Sequence, residues 1–265
     1  MILILGLSFA VVGVHFLFTF YTLFSDDFAY LVSLLVKKAI IESVIGVCLF
    51  MIIVKYTTLE DIKKVLRDSK PYIIVSALLM VGGIVLGVVL QDALGGLFEG
   101  IFEELMGEAE KVRSIPLYQQ VFFIFGNNSR VTIFSGVIAA FIPLLGPFLP
   151  VFTMFTNGVV IGLAPGIFDM NWVHFTVAIL PHGVLELPAL VLASAVGLKF
   201  SISMLKAVLG YFFHPAGLSG EEVFFREVKP GWQSLKLFAA IIPLLVVAAL
   251  IEVFISPWVL ELVRG

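Results

Sequence analysis

His182 and Glu186 stand four residues apart in the string Leu-Pro-His-Gly-Val-Leu-Glu-Leu-Pro-Ala at 180–189, inside an otherwise apolar stretch that runs from Asn171 to Gly197. Four residues is close to one helical turn, so the imidazole and the carboxylate share one face of a helix. Three kinds of chemistry use such a pair. A satisfied polar network could lock several helices together. A divalent metal held by His182, Glu186 and a further ligand could activate water at neutral pH, which would make both residues catalytic candidates. A proton or ion relay could run through a discontinuous helix of a transporter. Two ligands are one short of the usual three, and the chain has no His-Glu-x-x-His string.

Other polar residues sit in apolar surroundings and are candidates for the same interior cluster: Asn127, Asn128, Arg130, Asn157 and Glu252. Arg130 is the candidate partner for Glu186, the two asparagines for His182, and Glu252 is a third candidate metal ligand. A charged side chain at the bilayer centre costs at least about 2.5–3.5 kcal/mol, so such residues are paired, face water or carry function. Glu42 has no assigned partner; Lys37 and Lys38 lie in its own span.

The elements that must position these groups are membrane spans. Of 265 residues, 60% are hydrophobic and 13% charged, and the mean hydropathy is +1.12. Several stretches reach the roughly 20 apolar residues that cross a hydrocarbon core. The sequence predicts one all-α transmembrane domain over 1–265, a polytopic helical bundle with about seven spans near 3–24, 30–54, 71–90, 117–141, 148–166, 172–197 and 234–256. Pro181 suits a first helical position. Pro188 would remove a backbone bond to Val184, so the sixth span is expected to be broken or kinked around Pro181–Pro188. The segment 200–213, split by Lys206, reads as an interfacial or re-entrant helix. Residues 1–115 supply the N-terminal spans and an external amphipathic helix, and 116–256 the core with the polar cluster.

That external helix lies at 91–115, where Leu97, Phe98, Ile101, Phe102 and Leu105 form an apolar stripe opposite Glu99, Glu103, Glu104, Glu108 and Glu110. Gly158, Gly162 and Gly166 repeat every four residues, as do Ala189, Ala193 and Gly197; small residues at this spacing let helices approach closely. Basic residues gather at 55–70 (Lys55, Lys63, Lys64, Arg67, Lys70) and at 198–233 (Lys199, Lys206, Arg226, Lys229). With seven spans both regions fall on one side, which places the N-terminus in the cytoplasm of a multi-pass cell-membrane protein. A net charge of −3 without a basic run gives no case for nucleic acid. Cys48 cannot form an internal disulfide and reads as a small apolar residue.

The ordered set Gly-Asn-Asn-Ser-Arg-Val (126–131), Thr-Asn-Gly-Val-Val-Ile-Gly (156–162), Leu-Pro-His-Gly-Val-Leu-Glu-Leu-Pro-Ala (180–189) and Ala-Ala-Leu-Ile-Glu-Val-Phe (248–254) resembles the stage II sporulation protein M family over about 127–252. Its most specific element is Pro-His-Gly-x-x-Glu-Leu-Pro at 181–188. The resemblance implies an integral membrane scaffold: the member that gives the family its name recruits peptidoglycan-degrading partners during engulfment. It implies as partners the lipid bilayer and other membrane or envelope proteins, with a homo-oligomer left open. No cofactor is implied. A divalent metal belongs to the alternative reading, a metal-dependent intramembrane hydrolase using His182 and Glu186, and a small-solute or ion transporter is the second alternative.

Overall fold

The computed structural model describes residues 50–264, apart from scattered positions between 92 and 109, residues 143–144 and residue 169. The chain divides after Tyr56 into two units. Of the first, residues 50–56 are described, and 50–55 are helical. The expected span 3–24 and nearly all of 30–54, with Glu42, lie outside the described residues. So does the whole apolar stripe of the expected external helix; the described positions between 91 and 113, Glu103 and 110–113 among them, are helical, and 114–115 leave the helix in a turn and a bend.

The second unit begins with α1 (Leu59–Asp68), a short helix with charges along most of its length. Thr58 caps it. The Asp61 N–H donates to Thr58 Oγ1 at 3.1 Å and the Thr58 N–H donates back to Asp61 Oδ2 at 3.0 Å, a reciprocal capping box. Asp61 also accepts from Lys236 Nζ at 2.8 Å, which ties α1 to the short 3-10 turn Leu235–Leu237. The Lys236 ammonium, followed by the two Thr58 donors, holds the Asp61 carboxyl well below the usual carboxylate range. A group with a depressed folded pKa stabilises above its unfolded pKa and ceases to as pH falls through the folded value. Acidification below about pH 4 should therefore loosen this corner. Asp61→Asn should lower the melting temperature modestly at pH 7, where the carboxylate's contribution is fully present, and its difference from wild type should shrink as the pH falls below about 4.

Among the described residues five helices are long and apolar enough to cross a membrane: Lys70–Val89, Leu117–Phe141, Phe148–Ile167, Trp172–Phe212 and Gly220–Phe254. They begin with α2 (Lys70–Val89), which has Pro71 in its first turn. Next is α3 (Leu117–Gly136), which runs into a 3-10 turn at Ile138–Phe141. Then come α4 (Phe148–Ile167), α5 (Trp172–Phe212), α6 (Gly220–Ser234) and α7 (Phe238–Phe254), and α8 (Ser256–Arg264) closes the chain. All the regular structure among the described residues is helical.

A close crossing joins α2 and α4. A Cβ built on Gly83 would fall on the Phe155 carbonyl oxygen and 3.0 Å from the Gly158 Cα, and one on Gly87 would meet Val159 O and the Gly162 Cα in the same way. Two rows of small residues at four-residue spacing thus bring the backbones together. A second close approach sets Gly197 of α5 against the Ser135 carbonyl of α3. Buried hydroxyls join three helices: Ser76 Oγ on α2 donates to Ser194 Oγ on α5 at 3.1 Å, and Ser194 Oγ donates to Pro150 O on α4 at 3.1 Å.

The path of α5 differs from the sequence expectation in two ways. The helix runs unbroken for 41 residues through both Pro181 and Pro188. Each proline deletes one backbone bond, to Val177 and Val184, and the bonds on either side carry the helix on. The segment 200–213 is the continuation of this helix and not a separate interfacial one. At 1.5 Å per residue α5 is about 60 Å long, twice a hydrocarbon core. Its second half packs against α6. A Cβ on Gly231 would lie 2.8 Å from the Phe200 Cα, and the rings of Phe200 and Trp232 meet edge to face at 5.9 Å. Within 198–233, α6 is started by a capping box in which Ser219 and Glu222 exchange bonds.

Candidate functional site

The first half of α5 carries His182 and Glu186, and α7 runs antiparallel beside it. The start of α7 is fixed near the middle of α5, because a Cβ on Gly136 would touch both the Phe238 ring and the Ala193 carbonyl. Glu252, near the far end of α7, therefore arrives level with the His182–Glu186 turn. One ligand atom from each of His182, Glu186 and Glu252 lies within 4.8 Å of the other two, and all three residues are half-buried.

The imidazole is oriented from a fourth residue. His182 Nδ1 is 3.0 Å from Ser256 Oγ, and the Ser256 hydroxyl donates to Ile251 O at 3.3 Å. When the Ser256 hydroxyl gives its proton to Ile251 O, it accepts from the Nδ1–H, and Nε2 then carries the free lone pair. Sequence reading passed over Ser256. It follows the bend at Ile255 between α7 and α8 and bears no spacing relation to His182; only its position before Pro257 sets it apart.

The remaining polar candidates stand elsewhere. Arg130 is exposed on α3, and among the described residues no ion pair or hydrogen bond joins it to Glu186. Asn127 is exposed and Asn128 half-buried, and neither bonds His182. Asn157 is half-buried and its Nδ2 donates to Thr153 O one turn back at 2.7 Å.

Chemically the three-residue group offers one imidazole nitrogen and the oxygens of two carboxylates. Two carboxylates this close in a low-dielectric setting need a proton or a cation between them. The group can therefore share protons across the α5–α7 contact or hold a cation there.

Long apolar helices with a half-buried polar group between two of them define a helical membrane protein. A family model described as Stage II sporulation protein M matches residues 76–257, so the chain belongs to the stage II sporulation protein M family. The match extends N-terminally beyond the motifs near Asn127 and takes in both glycine-bearing helices as well as His182, Glu186 and Glu252. The chain is also similar to an uncharacterized protein of Methanocaldococcus jannaschii, MJ0706, at 23% identity over 73% of this chain and 84% of that protein. No solved structure matches the chain.

Proposed function

We propose that the protein is a multi-pass scaffold of the cell membrane that recruits or organises partner membrane or envelope proteins, with its N-terminus on the cytoplasmic side. The observation that supports this best is the outward face of α3. Gly126, Asn127 and Arg130 are all exposed there, flanked by exposed Phe123 and Ile133. Arg130 lies six residues, or about 9 Å, before the end of the helix at Gly136. A guanidinium and a carboxamide facing hydrocarbon at that depth would be costly. A partner helix offering carbonyl or carboxylate oxygens would satisfy them, and Gly126, where an added Cβ would meet nothing within 4 Å, leaves room for its backbone. Lys63, Lys64, Arg67 and Lys70 at one end of the bundle support the cytoplasmic assignment of that end.

The test is the size of the complex that the tagged chain forms in native membranes extracted with a mild detergent. The wild-type chain should migrate with its partner on a native gel. Arg130→Ala, whose site is already exposed, should keep the fold and lose most of the larger species. A wild-type chain that migrates alone, or a complex indifferent to Arg130→Ala, would count against the reading.

A further inference from the structure

We propose that His182, Glu186 and Glu252 form a binding site for a divalent cation of the zinc class, with Ser256 as the residue that positions the imidazole. The site goes beyond the scaffold reading and does not rest on it.

Three features carry the proposal. The first is convergence. An i, i+4 imidazole and carboxylate on α5 meet a carboxylate from α7, and a ligand atom of each lies within 4.8 Å of the others. Zinc bonds of about 2.0–2.2 Å place tetrahedral ligands about 3.3 Å apart, so the separations would shrink by at most roughly 1.5 Å and each side chain would move by less than that, within reach of carboxylate rotamers. The second is the state of the imidazole. Ser256 Oγ lies 3.0 Å from Nδ1 and 3.3 Å from Ile251 O; with the serine proton on Ile251 O, Nδ1 is the protonated nitrogen and Nε2 the one left for a metal. Ile251 immediately precedes Glu252. The same turn of α7 therefore orients one ligand through Ser256 and presents another, the arrangement of an outer-shell hydrogen bond in metal sites.

The third is charge. Two carboxylates converge without a Lys or Arg among the described residues bonded to either, and Arg130, the cation the sequence offers, lies on another face. A cation between them would supply the missing balance. One nitrogen and carboxylate oxygens suit Zn²⁺, with Mn²⁺ and Fe²⁺ as competitors of the same ligand preference, whereas Ca²⁺ and Mg²⁺ favour all-oxygen shells. Three protein ligands leave a fourth position for water. Bound there, the ion would clasp α5 to α7 and, through Ser256, to the start of α8.

The experiment uses the full chain in detergent, stripped with a chelator and titrated with Zn²⁺ against a chromophoric competitor, with metal content read by elemental analysis. The wild-type protein should take up about one Zn²⁺ per chain and melt at a higher temperature with the ion than without it. His182→Ala and the near-isosteric Glu252→Gln should abolish uptake. Ser256→Ala should retain the site with affinity lowered about 10–100-fold. Arg130→Ala should bind Zn²⁺ as the wild type does, which keeps this test separate from that of the scaffold reading. If His182→Ala does not fold, Glu252→Gln and the chelator-and-return cycle on the wild-type chain decide the matter. A wild-type chain that takes up no Zn²⁺, or a Glu252→Gln chain that binds it as tightly, overturns the proposal.

Discussion

Replacing Gly83 with leucine should cost the fold about 3 kcal/mol or more, while the same change at Gly82 should be close to neutral. The two glycines are neighbours on α2, yet an added Cβ meets nothing within 4 Å at Gly82, whereas at Gly83 it falls on the Phe155 carbonyl and the Gly158 Cα. Backbone atoms cannot rotate out of the way as a side chain can, so the helices themselves would have to part. Leucine is the better helix former by nearly 1 kcal/mol, which sets propensity against packing at Gly83. At Gly82 only the propensity gain applies. At Gly83 the clash wins, because separating α2 from α4 forfeits the contacts along the whole crossing, including those that Gly87 makes with Val159 and Gly162. Melting temperatures of the two variants in detergent check this, and equal loss at both sites would mean that the crossing is not the tight contact described.

Lys199→Met should cost about 1–2 kcal/mol, and Lys199→Ala distinctly more. Lys199 is only 6% exposed and its Nζ donates to Ser69 Oγ at 3.1 Å and to Asp68 O at 3.3 Å, pinning the α1–α2 corner to α5. Burying an ammonium is itself unfavourable, which reduces the net loss when methionine replaces it. The balance still falls toward destabilisation, because the Ser69 side chain has no exposure to water and its oxygen is left without that donor. Alanine adds a cavity where the four-carbon stem lay. Thermal unfolding of both variants, together with protease susceptibility between α1 and α2, measures the effect.

The sequence and structure agree wherever a local period decides the matter. His182 and Glu186 share a face because four residues make a turn, and the five described apolar helices lie where runs of apolar residues place them. Disagreement enters where the deciding interaction is distant in the chain. Lys199 reads as the end of a span because a charge interrupts an apolar run; its partners at Asp68 and Ser69 allow the helix to carry on past it. Pro181 and Pro188 read as a break or a kink because each removes a bond; the intact bonds around them carry α5 through without a break.

Small residues at Gly158 and Gly162 announce a close approach without naming the partner, and the matching row at Gly83 and Gly87 sits inside a run that reads only as apolar. Arg130 shows the converse. Its type and setting point to an interior partner, yet spacing alone does not say which face of α3 turns inward. Glu252 was a candidate from its place in an apolar span, but only the antiparallel course of α7 brings it level with His182. Ser256 carried no signal at all, since its role depends on a bend that follows the last long helix.

The central claim, that the polar face of α3 receives a partner helix, is tested most directly by a photoreactive residue placed at Asn127 in the chain expressed in its native membrane. The account predicts that irradiation yields a discrete crosslink to one membrane protein, lost when Arg130→Ala is introduced into the same chain and retained when Lys199→Met is introduced instead. Crosslinks to lipid alone, or a protein adduct unchanged by Arg130→Ala, would contradict it.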